Sequence, residues 1–125
     1  MLFKVKNTPA DFVKDLNLFN GTITYNDFDI DENISFEERW YTYKEDILQI
    51  AYGSRYILDV GWYPGSNPKG KFVVQAITDY DWVNPVSKKK CRTLKGLKKA
   101  IEETAMLIHR IRQSSDHVIN KKPNV

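Results

Sequence analysis

The sequence predicts one α+β domain: an antiparallel sheet of four to six strands, a long C-terminal helix and one or two shorter N-terminal helices. Apolar residues alternate with a period of two from Ile47 to Thr78, which is typical of strands. After Thr93 they recur at helical spacing. A length of 125 residues with 42% hydrophobic residues fits a single core, so we assign residues 1–125 to one domain.

The first predicted helix spans residues 9–19. Thr8 is a suitable N-cap, and Pro9 occupies the first helical position, where its missing N–H costs nothing. Asn20-Gly21 is a natural end for this helix.

A second short helix is predicted over residues 36–46. Ser35 and Glu38 form a capping box, in which each side chain bonds to an unpaired backbone amide of the other residue. The same stretch is aromatic enough to form a strand instead. Strands are also expected at residues 2–6 and 22–25, where β-branched and aromatic residues gather.

Three strands of a meander are predicted over residues 47–52, 56–63 and 72–78. Gly53-Ser54 supplies the first turn, and the cluster of Pro, Gly, Ser and Asn over residues 64–70 supplies the second. In this register Asp59 shares one face of the sheet with Gln49 and Gln75.

The C-terminal part of the chain predicts an edge strand followed by the long helix. The lysines between Val86 and Arg92 suit an exposed edge, where charge discourages pairing with other chains. Thr93 caps a helix that keeps its apolar spacing to about residue 112. We expect residues 114–125 to be a frayed or disordered tail.

Charge is distributed unevenly, although the formal net charge is only +3. The acidic run, from Asp27 to Glu38, has no cation and contains the carboxylates Asp27, Asp29, Asp31, Glu32, Glu37 and Glu38. The basic run, from Lys88 to Lys99, has no carboxylate and contains the cations Lys88, Lys89, Lys90, Arg92, Lys95, Lys98 and Lys99. Either run is a candidate for steering a charged partner, and either is also typical of a solvated surface.

The residues do not indicate catalysis. Cys91 is the only cysteine, so neither an internal disulfide nor a thiolate metal cage is possible. His109 and His117 are too far apart on a helix to share a metal. The sequence contains no GxSxG, Walker, GxGxxG or HExxH motif. We therefore expect no enzyme, no metal and no cofactor.

We expect a cytoplasmic protein with no membrane association. The residues from Met1 to Lys6 do not resemble a signal peptide, and no apolar run is long enough to span a membrane.

Four further residues are candidates for contact with a partner. Asp59 lies in the middle of a predicted strand. It is either a solvent-facing or salt-bridged carboxylate, a carboxylate that accepts hydrogen bonds from backbone amides of the following loop, or part of a contact surface. Trp62, Tyr63 and Trp82 flank turns, where aromatic residues either close the ends of the core or act as interface anchors.

From Asp46 onward the sequence resembles bacterial immunity proteins encoded beside polymorphic toxins, notably those of contact-dependent growth inhibition systems. The resemblance extends to the helix after Thr93 and rests on four segments: Asp46-Ile47-Leu48-Gln49-Ile50, Tyr56-Ile57-Leu58-Asp59-Val60-Gly61-Trp62-Tyr63-Pro64, Gly70-Lys71-Phe72-Val73-Val74 and Asp81-Trp82-Val83-Asn84-Pro85.

The resemblance implies a cytoplasmic, non-enzymatic inhibitor. Such a protein binds the C-terminal domain of a cognate toxin, commonly a nuclease, and covers its active site or substrate surface. The matched residues look structural, so we take the contact residues from the acidic run, Asp59, Trp62, Tyr63 and Trp82. An inhibitor of a cationic nuclease is expected to be acidic, whereas this chain is not, so a neutral or acidic toxin would engage the lysine side.

Two other functions remain open from the sequence. The basic run could bind the phosphate backbone of nucleic acid in a salt-dependent way, as a nucleic-acid-binding or regulatory domain does. A small hydrolase using Asp59 would require a shifted carboxylate pKa in a cleft.

Overall fold

The computed structural model describes residues 12–27 and 43–120, with side chains up to residue 114. It contains an antiparallel sheet packed against a long helix, which confirms the predicted α+β arrangement. The strands are β1 Thr22–Asn26, β2 Leu48–Tyr52, β3 Tyr56–Tyr63, β4 Lys71–Thr78 and β5 Ser87–Cys91, and the helix is α1 Leu94–Asn120.

The five strands lie side by side in chain order, β1-β2-β3-β4-β5, and every neighbouring pair is antiparallel. The expected strand at residues 22–25, the meander and the edge strand are all present, because the period-two pattern and the turn residues between the strands determine the pairing. The register of β1 against β2 shifts between Ile23 and Tyr25.

Alternating residues divide the sheet into two faces. The helix face carries the apolar core, and its central row is Leu48, Val60, Val74 and Lys89. The opposite face, which we call the far face, has the neighbouring row of Gln49, Asp59, Gln75 and Lys88. Asp59 therefore lies between the two glutamines, as predicted.

Helix α1 packs its apolar stripe on the helix face. Thr93 caps it, since its Oγ1 accepts a hydrogen bond from the Gly96 amide at 2.9 Å. Four fully or almost fully buried side chains form the stripe: Leu97, Ile101, Ala105 and Ile108. No helix among the residues described combines the length and apolar character needed to cross a membrane.

The helix is longer than predicted, because it continues to Asn120 rather than ending near residue 112. The apolar spacing fades after Ile111, but neither Gly nor Pro interrupts the chain before Pro123, so the backbone can remain helical. The backbone is thus helical over part of the predicted tail, and the expectation of a frayed or disordered tail over residues 114–125 stays a prediction. Residues 121–125 lie outside the described part.

The prediction of a helix over residues 9–19 is wrong from residue 14 onward, where the chain forms turns. Asn17 Oδ1 accepts a hydrogen bond from the Phe19 amide at 3.0 Å, which is a local alternative to helical pairing. Phe19 and Asn20 have positive φ angles of 51° and 64°, which a helix does not allow. Residues 9–11 and the predicted strand at residues 2–6 lie outside the described part.

The end of the predicted helix over residues 36–46 is wrong as well. Residues 43–47 are not helical, because their backbone pairs with the end of β3. The Trp62 amide donates to Lys44 O at 2.8 Å, and the Ile47 amide donates to Val60 O at 3.0 Å. Residues 36–42 lie outside the described part.

Candidate functional site

A cavity of about 420 Å³ opens on the far face of the sheet, which we call the lysine pocket. Three strands and the segment that joins β4 to β5 contribute to its walls. The residues that line it are Tyr63, Lys71, Val73, Gln75, Trp82, Lys88 and Lys90.

The strand register brings these side chains together. Tyr63 of β3 pairs with Lys71 of β4, and Val73 of β4 pairs with Lys90 of β5. Because side chains alternate between faces, Lys88 and Lys90 lie on the far face, while Lys89 lies on the helix face. Lys89 Nζ contacts Glu103 Oε2 of α1 at 3.3 Å.

The pocket is a concentration of positive charge. None of its lining residues is a carboxylate. Lys71, Lys88 and Lys90 form no ion pair with any residue in the described ranges. Val73 and Gln75 are buried among these exposed lysines, so the pocket has a buried base and a charged rim. A rim of this kind attracts an anionic group.

Negative charge lies next to the pocket, centred on Asp59. This carboxylate is only 2% exposed, and its Oδ1 accepts a hydrogen bond from Gln49 Nε2 at 3.1 Å. Burial raises the pKa of Asp59 to about 6, against the opposing effect of the Gln49 hydrogen bond, and the Asp46 carboxylate raises it further.

Tyr63 lies at the border between the two charged zones. Burial raises the pKa of its phenol to about 12, and the carboxylates of Asp59, Asp46 and Glu45 contribute to the rise. The same side chain lines the lysine pocket. Positive and negative regions therefore meet at Tyr63 on the far face.

The segment from Asp79 to Val86, which we call the β4–β5 loop, exposes apolar side chains beside the pocket. Tyr80 is 69% exposed, Trp82 44%, Val83 86% and Val86 44%. Exposed apolar side chains are ordinary when scattered singly, but a group of four in one loop is typical of an interaction surface.

The loop is nevertheless held in a defined conformation. The Asp81 amide donates to Thr78 O at 3.0 Å, and the Val86 amide donates to Ala76 O at 2.8 Å. Asp81 Oδ1 also accepts a hydrogen bond from the Asn84 amide at 3.2 Å. The loop is therefore ordered before any partner binds.

Of the acidic run, only Asp27 falls within the described residues. It forms an ion pair with Lys44, at 2.8 Å between Nζ and Oδ2, so its charge is balanced from outside the run. The other five candidates of the run lie outside the described residues: Asp29, Asp31, Glu32, Glu37 and Glu38.

The aromatic candidates separate into core and surface residues. Trp62 is fully buried on the helix face, where its ring packs against Phe72 and its Nε1 donates to Asn67 O at 2.9 Å. It closes the end of the core and cannot reach a partner in the folded protein. Tyr63 and Trp82 line the lysine pocket. Asp59 is buried beneath the far face and is not itself part of the exposed surface.

The basic run does not form one surface. Only Lys88 and Lys90 line the pocket, whereas Lys89 contacts Glu103 and Lys98 Nζ lies 5.2 Å from the centre of the Phe12 ring. Lys71 completes the pocket and was not among the predicted site residues. The period-two pattern of β4 and β5 contains the signal for it, because that pattern places Lys71 on the same face as Lys88 and Lys90.

Three further groups bear on metal and thiol chemistry in the described residues. Within residues 12–27 and 43–114, whose side chains the structure describes, no three His, Cys, Asp or Glu side chains gather as metal ligands do. Cys91 is half-buried, and burial raises the pKa of its thiol, which disfavours the reactive thiolate. The His109 ring stacks on Phe19, with 4.8 Å between ring centres.

The fold and the site define a small α+β domain with a lysine-lined pocket beside an apolar loop. Comparison with protein-family models, with curated proteins and with solved structures found no match.

Proposed function

We propose that this protein is an immunity protein that binds the C-terminal domain of a cognate toxin and neutralises it by covering its active site or substrate surface. It would act in the cytoplasm of the cell that produces the toxin. The observation that carries the proposal is the β4–β5 loop, where four exposed apolar side chains project beside the lysine pocket.

This surface has the composition of a protein interface. Protein interfaces have an apolar centre rich in aromatic residues and a polar or charged rim, and a few central residues carry most of the binding energy. Tyr80, Trp82 and Val83 can supply the centre, and the pocket lysines can supply the rim.

The ordered loop supports tight binding. Ordering a flexible loop on association costs free energy, and a loop already held by hydrogen bonds avoids much of that cost. The bonds from Asp81 to Thr78 and from Val86 to Ala76 tie both ends of the loop to β4. Charge would then set the rate of association, and the aromatic contacts would set the rate of dissociation.

Binding to nucleic acid is the second candidate function, because three lysines and two aromatic rings share one pocket. Lysines can hold phosphates while an aromatic ring stacks on a base. Such binding would be broad in sequence and would weaken steeply with salt.

Co-expression with the C-terminal domain that the adjacent upstream reading frame encodes tests the proposal, which requires that domain to be a toxin. We expect the chain to rescue cells that produce this domain and to form a 1:1 complex. The complex should survive in a pull-down from about 0.15 M to about 0.5 M NaCl, where exposed charges are strongly screened.

The variant Val83→Asp places a charge at the most exposed apolar position of the loop and should abolish rescue without unfolding the protein. Lys95→Glu, an exposed change on α1, is the matched control and should rescue normally. Absence of rescue and of any complex, with salt-sensitive retention of a single-stranded oligonucleotide instead, would favour the nucleic-acid function.

A further inference from the structure

We infer that the lysine pocket receives an acidic side chain, Asp or Glu, from the surface of a protein partner. The inference rests on the proposed function in that the partner is a protein. It adds the chemistry of the contact and its place on the sheet.

Charge complementarity carries the first step. Lys71, Lys88 and Lys90 approach one cavity from two adjacent strands, and they form no ion pair with any residue that the structure describes. Three ammonium groups around one concavity repel each other, and a carboxylate placed between them relieves that repulsion.

The walls of the pocket strengthen such a contact. Trp82 and Tyr63 flank the lysines, and the buried residues Val73 and Gln75 form the base. Apolar walls exclude water, and an ion pair is stronger where the effective dielectric constant is lower than that of water. The volume of about 420 Å³ exceeds the space that one carboxylate needs, so residues next to the acidic side chain would also enter.

The surroundings favour a carboxylate over a polyphosphate chain. Asp59, Asp46 and Glu45 influence Tyr63 at one border of the pocket, so a nucleic acid backbone that ran past Tyr63 would meet negative charge. The two neighbouring cations of the basic run do not extend the pocket: Lys89 is on the helix face, and Arg92 Nη2 donates to Pro68 O at 2.8 Å. A compact anion fits this confined positive region better than a long one.

The position beside the β4–β5 loop favours a protein as the source of that anion. Val83 and Tyr80 are strongly exposed and apolar, and Trp82 belongs to both the loop and the pocket. A protein surface can cover the apolar loop and insert an acidic side chain in the same approach. The apolar contacts and the charged contact would then act together.

The test uses the full chain labelled with ¹⁵N and two anionic probes, an oligoglutamate peptide and a single-stranded oligonucleotide of matched charge. The chain contains three tryptophans, Trp40, Trp62 and Trp82, so it gives few indole N–H signals in a ¹H–¹⁵N spectrum. The variant Trp82→Phe identifies the signal of Trp82. We expect the peptide to move the Trp82 signal in a saturable way and the signal of the buried Trp62 to stay in place.

Two matched double variants locate the binding. The double variant Lys88→Gln with Lys90→Gln removes two positive charges from the pocket, and it should weaken binding of the oligoglutamate peptide at least about tenfold. Lys95→Gln with Lys99→Gln removes the same charge from exposed positions on α1 and should change the affinity by less than about twofold.

Three outcomes would overturn the inference: a Trp82 signal that the peptide does not move, equal effects of the two double variants, or tighter binding of the oligonucleotide than of the peptide. None of these depends on the toxin. Rescue by co-expression together with a failed peptide titration would retain the immunity function and place its interface elsewhere.

Discussion

Arg55 donates two hydrogen bonds of equal length to the carboxylate of Asp79, from Nε to Oδ1 and from Nη2 to Oδ2, each 3.0 Å. The Asp79 amide donates in return to Arg55 O at 2.8 Å. Asp79 and Tyr80 have positive φ angles of 53° and 60°, which residues other than glycine rarely adopt. The turn between β2 and β3 thus fixes the start of the β4–β5 loop.

Removing the hydrogen bonds from Arg55 to Asp79 should make the β4–β5 loop more mobile. Arg55→Gln deletes the charge and the forked donor, so we expect amide hydrogen exchange across residues 80–86 to accelerate while the amides of β3 and β4 stay protected. Lys99→Gln, which removes an exposed contact with Glu103, is the control and should leave the loop unchanged. Unchanged exchange in Arg55→Gln would mean that the backbone bonds suffice.

Acid should loosen the same loop in the wild-type protein. Hydrogen bonds from Arg55 lower the pKa of Asp79, so the ionised carboxylate favours the folded loop. Because the pKa of Asp79 is lower in the folded protein than in the unfolded chain, the ionised carboxylate stabilises the folded loop at any pH above the unfolded pKa, near 3.8. This stabilisation is lost as the pH falls through the lower pKa of the folded state. Loop exchange, corrected for intrinsic rates, should therefore rise below about pH 4 more in the wild type than in Asp79→Asn.

Asp59→Asn should stabilise the protein at neutral and alkaline pH. Burial raises the pKa of Asp59 to about 6, so the folded state binds a proton more tightly than the unfolded state. The contribution of this group to stability therefore falls as the pH rises from about 4 to about 6. The amide of Asn is uncharged and its Oδ1 can still accept from Gln49. We expect the free energy of unfolding in urea to rise by about 1–2 kcal/mol at pH 8.

At pH 4 the carboxyl of Asp59 is largely protonated in the folded protein, so the gain from Asp59→Asn should shrink there. Asp46→Asn, at an exposed neighbouring carboxylate, is the comparison and should give a smaller gain. If Asp59→Asn raised the free energy of unfolding equally at pH 4 and pH 8, the gain could not come from removing a buried, ionised carboxylate.

Gly61→Ala should be strongly destabilising. A Cβ at this position would lie 1.9 Å from Glu45 O, so the segment over residues 43–47 would have to move away from β3. That movement would disturb the hydrogen bond from the Trp62 amide to Lys44 O. We expect a loss of about 3 kcal/mol or more in the free energy of unfolding, measured by urea denaturation.

Gly65→Ala is the matched control for that change. Its Cβ would lie 3.0 Å from Glu45 Cγ, in a flexible side chain that can shift. We expect a loss of less than about 1 kcal/mol. Similar losses at both glycines would show that the close backbone approach at Gly61 is not decisive.

Trp62→Ala and Trp82→Ala should separate stability from binding. Trp62 is fully buried between Tyr43 and Phe72, so its truncation should cost about 3–5 kcal/mol of stability. Trp82 is 44% exposed in a surface loop, so its truncation should cost less than about 1 kcal/mol. Calorimetric titration with the toxin domain should show at least about a tenfold weaker complex for Trp82→Ala. Retained affinity in this variant would remove Trp82 from the interface.

The sequence was sufficient for the sheet because strand formation depends on a local pattern. Alternation over residues 47–78 and the turn residues between the strands determine both pairing and register, and they placed Asp59 beside Gln49 and Gln75. The same criteria failed at residues 14–19 and 43–46. There the Asn17 side chain and the pairing of Lys44 with β3 override the helical spacing, and neither interaction is visible in a pattern of apolar residues.

The candidate site was only partly predictable for a related reason. Trp82, Tyr63, Lys88 and Lys90 are conspicuous in the sequence, but their meeting in one cavity depends on the register of three strands and the course of a loop. The two tryptophan candidates lie in different environments, since Trp62 is buried on the helix face and Trp82 is exposed in the β4–β5 loop. Charge counting also grouped Lys89 with Lys88 and Lys90, whereas the pleat of β5 separates them.

The spatial order of the strands equals their order in the chain, and from β2 to β5 each strand pairs with the one synthesised just before it. Short-range pairing of this kind lowers the mean sequence separation of contacts, and domains with low separation fold quickly. Each hairpin can form as soon as its second strand has left the ribosome, and α1 can then cover the finished sheet. Under the proposed immunity function, this order of folding would make each new molecule able to bind its toxin soon after synthesis.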